Sequence, residues 1–188
     1  LPEELEAHGE IRVDPYYWLR ERENPEVIGY LDAENAYTEA MMAHTTDLQE
    51  TLFAEMRGRI KEDDASVPVR RGGYWYYTRF EEGGEYALYC RRVGALEGPE
   101  ELLLDGNALA EGKDFFAVGG WSVSSDENLL AFATDTVGRR IYTVRFKDLD
   151  SGEIFDDEIA GTNGNLAWAE DNRTLFYTRR DPQTLRSF

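Results

Sequence analysis

The chain has 188 residues, 38 of them acidic and 20 basic, which gives a formal net charge of −18. A field of that sign repels phosphate backbones and excludes nucleic acid as a partner, while its acids keep the surface soluble. Hydrophobic residues at 41% and aromatics at 13% exclude a disordered chain, and apolar runs as short as Leu102–Leu104 and Leu129–Ala133 exclude a membrane-spanning helix.

The start, Leu1-Pro2-Glu3-Glu4-Leu5, has neither the basic region nor the apolar core of a secretory signal, and His8 is expected near a frayed end. Asp14-Pro15-Tyr16-Tyr17-Trp18-Leu19-Arg20 is too apolar for a free tail and is expected to anchor on a neighbouring domain. Asn24-Pro25 is a helix start, with Asn as N-cap and Pro in the first turn. Tyr30, Ala33, Tyr37, Ala40, Met41 and His44 then recur at spacings of three and four, which predicts a helix to about Ala43. Thr46-Asp47-Leu48-Gln49 has the capping-box form, Leu48, Leu52, Met56 and Ile60 follow at intervals of four, and Gly58 marks the end. Two successive helices with one apolar stripe each cover each other only in part, so this lead-in expects a further surface to pack on.

After the acidic connector Lys61-Glu62-Asp63-Asp64 the character changes, near residue 66, from helical to strand patterns. Tyr74–Phe80, introduced by Gly72-Gly73, Tyr86–Arg92 and Glu101–Leu104, closed by Asp105-Gly106-Asn107, read as a meander of short antiparallel strands. Further on, Ser125-Asp126-Glu127-Asn128-Leu129-Leu130-Ala131-Phe132 is echoed by Glu170-Asp171-Asn172-Arg173-Thr174-Leu175-Phe176-Tyr177, with Asp126 and Asp171 a step of 45 residues apart. Between them lie a turn at Asp135–Gly138, a strand Ile141–Phe146, the turn Asp150-Ser151-Gly152 and a strand Glu153–Ile159. Four short strands in about 45 residues is the spacing of a propeller blade. Residues 67–188 supply two blades and the start of a third, and Arg179–Phe188 reads as a loop. A closed propeller takes at least about four blades, so the protein is expected to continue past Phe188.

Serine chemistry needs a nucleophile on a sharp turn, a histidine base and an acid. Ser66, Ser122, Ser124, Ser125, Ser151 and Ser187 all fall outside a G-x-S-x-G turn, Gly119-Gly120-Trp121-Ser122-Val123 coming nearest. Only His8 and His44 are available as bases, and His44 lies on an apolar helix face. Cys90, the one cysteine, sits in a strand as a small packing residue; a single cysteine also points to a reducing cytoplasm. Asp148-Leu149-Asp150-Ser151-Gly152-Glu153 is explained as an inter-strand turn rather than a calcium loop, and Gly112, Gly119 and Gly120 form no phosphate loop. No residue of this chain is assigned a catalytic, cofactor-binding or metal-binding role.

The opening Asp14–Arg20 resembles that of the prolyl oligopeptidase family of serine peptidases, and Asn24–Asn35 resembles its first helix. Glu55–Asp64, Gly84–Arg92, Leu103–Asn107 and Arg139–Phe146 are similar to the front of its oligopeptidase B branch, and the likeness runs over essentially all 188 residues. The resemblance implies a mainly β fold with an N-terminal α-helical segment, and with it the first two to three blades of a seven-bladed β-propeller. Residues 1–66 would form a helical segment packed on a C-terminal α/β-hydrolase domain, and residues 67–188 the first blades. It implies an enzyme that cleaves short peptides after Arg or Lys with a Ser-Asp-His triad lying beyond Phe188, the propeller restricting entry. Short peptides and the hydrolase domain would then be its partners, with no cofactor, and the cytoplasm its location. The alternative is a stand-alone propeller-type binding or scaffold protein.

Overall fold

The computed structural model describes residues 2–181, 183, 184, 186 and 187. It divides into two compact units, Leu1–Ile60 and Lys61–Phe188.

The first unit opens with a hairpin, β1 (Glu3–Ala7) against β2 (Glu10–Asp14), closed at the Ala7–Glu10 pair. His8 and Gly9 turn it with φ of 55° and 81°, the two left-handed positions of a type I′ turn. The frayed end expected around His8 is therefore a paired hairpin. A histidine followed by glycine between alternating Glu/Leu and Ile/Val residues carried that signal. Tyr17–Arg20 forms a 3-10 turn, from which Trp18 meets Tyr30 edge-on with 5.6 Å between ring centroids. The aromatic segment thus holds onto the first helix of its own unit.

Helix α1 (Pro25–Met42) starts where Asn24 and Pro25 place it, with the Asn24 side chain accepting the Glu26 N–H at 2.9 Å. A 3-10 turn, Ala43–Thr45, leads directly into α2 (Thr46–Gly58). The capping box expected from Thr46 and Gln49 does not form. Thr46 already has helical dihedrals and its hydroxyl donates back to the Ala43 carbonyl, while Gln49 donates instead to the Thr45 hydroxyl at 2.7 Å. The chain arrives at α2 still turning, so no extended residue is left to act as the cap. Val27 is the buried residue of α1; Tyr37, Met41, Leu52, Phe53 and Met56 are exposed. Among the described residues no helix is long and apolar enough to cross a membrane.

The second unit begins with a four-stranded meander, β3 (Val69–Arg71), β4 (Tyr74–Arg79), β5 (Leu88–Val93) and β6 (Glu100–Asp105), in that order across the sheet. Pairing starts inside the acidic connector, where the Asp64 carbonyl accepts the Phe80 N–H at 2.8 Å. The turn expected at Asp105 is the first turn of a short helix, α3 (Gly106–Ala110), because the Asp105 carboxylate caps the N–H groups of Asn107 and Ala108.

A second sheet holds β7 (Ala117–Val123), β8 (Leu129–Asp135), β9 (Tyr142–Asp148), β10 (Ile154–Trp168) and β11 (Leu175–Arg179), in the order β11-β10-β9-β8-β7. Strand β10 serves two blades: its first half pairs with β9 and its second half with β11. The 45-residue step is in register. Trp121 pairs with Phe132, Ser122 with Ala131 and Val123 with Leu130; 45 residues on, Leu166 pairs with Tyr177, Ala167 with Phe176 and Trp168 with Leu175. The acidic turns repeat too, with Glu127 and Asn172 both left-handed, and the Asn172 side chain accepts the Asp126 N–H at 3.0 Å. The chain is thus mainly β with an N-terminal helical segment and the opening blades of a propeller. Of the closing stretch Arg179–Phe188, residues Pro182, Leu185 and Phe188 lie outside the described residues.

Strand β8 forms the centre of this unit. Leu130, Ala131, Phe132 and Ala133 are all fully buried, and they alternate between two cores. Leu130 and Phe132 join Tyr76, Leu103, Leu104 and Val123 between the first and second blades. Ala131 and Ala133 face Val144, Ile159, Leu166, Trp168 and Leu175, where the next blade begins. Large side chains fill one face, and small ones let Trp168 and Leu166 close in on the other.

Candidate functional site

Residues of all three blades, from β3 and β4, from the end of β7 and from the second half of β10, line one common space. The Trp168 indole N–H donates to the Ser122 carbonyl at 2.9 Å, tying β10 to β7. The two strands approach so closely that a Cβ on Gly120 would lie 2.2 Å from the Gly164 carbonyl oxygen. Towards the C-terminal ends of these strands lies a cavity of about 420 Å³, lined by Arg71, Gly72, Tyr76, Ser122–Ser125, Glu127 and Leu166–Trp168.

Its charged wall is braced from behind. Glu127 accepts the Gly73 N–H at 2.8 Å through its carboxylate, and its carbonyl accepts from Arg91 Nη1 at 2.8 Å. Arg91 is itself buried, pairs with Glu101 at 2.6 Å and lies 3.8 Å above the centre of the Tyr74 ring. A buried guanidinium with this many partners is a satisfied charge, and it fixes the turn carrying Glu127. Next to Glu127, the Ser124 hydroxyl donates to Asp126 at 2.6 Å and holds that carboxyl below its usual range. Burial pushes the Tyr76 phenol up, partly offset by the nearby Arg91 guanidinium, yet its hydroxyl makes no hydrogen bond of normal geometry. The Arg71 side chain has no ion pair or hydrogen bond among the described residues.

The Ser66 hydroxyl accepts the Thr78 N–H, Ser151 donates to Asp148 and Ser187 accepts from Asn163. Ser122 and Ser125 line the cavity. His8 occupies the exposed hairpin turn, and His44 Nδ1 lies 3.0 Å from the Met41 carbonyl. Asp148 turns its carboxylate onto the N–H groups of Asp150 and Ser151, closing an Asx turn. Among the described residues no three His, Cys, Asp or Glu side chains gather as a metal site.

Cys90 is fully buried, and burial pushes its thiol up to about 11, with the Glu100 charge adding to it. Its thiolate is accordingly scarce at neutral pH. Native protein is expected to resist iodoacetamide at pH 8 and to take up one label per chain at this position only when unfolded. Labelling of Cys90 at the same rate in both states would contradict its place in the core.

The cavity's residues were not legible beforehand, because Glu127 meets Gly73 across 54 residues of chain and no local pattern announces such a contact.

Comparison with known proteins agrees with the fold. The family model described as prolyl oligopeptidase, N-terminal β-propeller domain, matches residues 3–188. Dipeptidyl aminopeptidase BI of Pseudoxanthomonas mexicana is 49% identical, over 96% of this chain and 27% of its own length. Protease 2 of Moraxella lacunata is 34% identical, over 96% of this chain and 27% of its own. The solved structure of oligopeptidase B from Leishmania major superposes with a TM-score of 0.91 at 34% identity, covering all of this chain and 29% of that one. The chain thus spans little more than a quarter of the curated relatives it matches.

Proposed function

The chain belongs to the prolyl oligopeptidase family, within its N-terminal β-propeller domain, and from that premise we propose that it is the non-catalytic front of an oligopeptidase B-like serine peptidase. The observation that carries this reading is the in-register 45-residue strand repeat, which yields two blades and the beginning of a third within a quarter of the relatives' length. In this reading residues 67–188 open a seven-bladed propeller that admits short or unstructured peptides. Residues 1–66 pack on a C-terminal α/β-hydrolase domain, which would cover the exposed Tyr37, Met41, Leu52, Phe53 and Met56. That domain supplies the serine nucleophile, the histidine base, the orienting aspartate and the oxyanion donors, and no cofactor is required. The single buried cysteine suits a reducing cytoplasm.

Cleavage after Arg or Lys is the first reading of specificity, supported by the likeness to protease 2 and to oligopeptidase B. A second reading, removal of dipeptides from free N-termini, is favoured by the higher 49% identity to dipeptidyl aminopeptidase BI. The full-length protein, assayed with arginyl fluorogenic peptides whose N-termini are either blocked or free, separates them. Turnover of blocked peptides supports the first reading; turnover of free dipeptidyl substrates alone supports the second. No turnover of either would leave the stand-alone binding propeller as the better description.

A further inference from the structure

The cavity on the inner strands holds an uncommitted cation in a chain where acids outnumber bases by 38 to 20. On the neighbouring strands Arg91 is committed to Glu101 and the Glu127 carbonyl, Arg79 to Glu81 and Glu100, and Arg92 to Tyr77 and the Leu96 carbonyl, while Arg70 does not line the cavity. Arg71 has no such partner among the described residues, although Glu127 lies on the same wall. The Glu127 carboxylate is instead turned by one oxygen, Oε1, onto the Gly73 N–H. The planar donor fork of Arg71 is therefore available to a ligand.

We propose that this cavity receives the C-terminal end of a short peptide, its carboxylate on Arg71 and its last side chain against Trp168. The proposal rests on the peptide-substrate reading above and adds a position on this chain that takes part in it. A C-terminal residue presents a carboxylate and, on the other side of its Cα, its own amide N–H. The cavity presents a guanidinium and, on Glu127, a carboxylate oxygen, Oε2, with no hydrogen bond among the described residues. A phosphate would bring about two negative charges beside Glu127 into a strongly negative surface, and a lone inorganic anion would offer no donor to the second oxygen of Glu127, Oε2. Ser122 and Ser125 line the same cavity. Trp168 cannot turn away, because its indole N–H is held by the Ser122 carbonyl, so its ring stands as a fixed apolar platform. A volume of about 420 Å³ is in the range of sites that hold small ligands or a peptide end.

The test uses the full-length protein with its active-site serine blocked by a phosphonate, so that peptides bind without turnover. N-acetyl-Ala-Ala-Leu and its C-terminal amide are titrated by calorimetry. The acid is expected to bind about tenfold more tightly than the amide. Arg71→Gln is expected to bring that ratio close to one while leaving the amide's affinity unchanged. Equal affinities in the parent protein, or a carboxylate preference that survives Arg71→Gln, would overturn the proposal. Arg71 is exposed, so the substitution leaves the fold in place, and Arg71→Lys is expected to restore part of the preference. Hydrolysis by the unblocked enzyme is read separately. Active enzyme without the carboxylate preference sinks this site alone, whereas failure to hydrolyse peptides sinks the broader reading.

Discussion

Phe132→Ala is expected to remove about 3–5 kcal/mol from the stability of the propeller unit. Phe132 is fully buried on the β8 face that packs against Tyr76, Leu103 and Leu104 of the first sheet. Removing the ring leaves a cavity between two sheets whose strands are each fixed by their own ladders, so neither can close in to fill it. Urea unfolding of the protein, followed by tryptophan fluorescence, measures the loss. Trp121 and Trp168 report on opposite faces of β8, Trp121 packing beside Phe132 and Trp168 with Ala131 and Ala133. A loss under about 1 kcal/mol, the range of surface substitutions, would mean that the two sheets do not share this core.

Gly120→Val is expected to part the inner strands of consecutive blades. The first atom of any side chain at position 120 would lie 2.2 Å from the Gly164 carbonyl oxygen, which is backbone and cannot swing aside. Relief requires moving β7 from the second half of β10 and so breaking the bond from Trp168 to Ser122. The cost is expected at the upper end of overpacking losses, about 3 kcal/mol or more. It should appear as a lowered Tm together with faster proteolysis of β10 (Ile154–Trp168). A Gly120→Val protein as stable as its parent would contradict the close approach of the two strands.

The blade period was legible because turn chemistry is local. Asp126 and Asp171 each bond the backbone of their own turn, and the hydrophobic strands follow directly. Asn24-Pro25 was legible for the same reason, since a cap acts within three residues. Short or glycine-bearing strands were not. β3 is Val69-Arg70-Arg71, held in place by its pairing with β4, and β7 contains Gly119-Gly120, whose value lies in how near a strand 45 residues away can come. The capping box at Thr46 failed because a preceding helical turn, set by residues before it, decided the backbone there. The cavity was least legible. Arg71, Glu127 and Trp168 come from three blades, and their meeting depends on how blades stack rather than on any pattern along the chain.

The most direct test of the central claim is to label the active full-length protein with a fluorophosphonate and map the modified residue by peptide mass. A single labelled serine C-terminal to Phe188 is the expected result. Label on Ser66, Ser122, Ser124, Ser125, Ser151 or Ser187 would place the nucleophile within this chain and contradict its reading as the non-catalytic front of the peptidase.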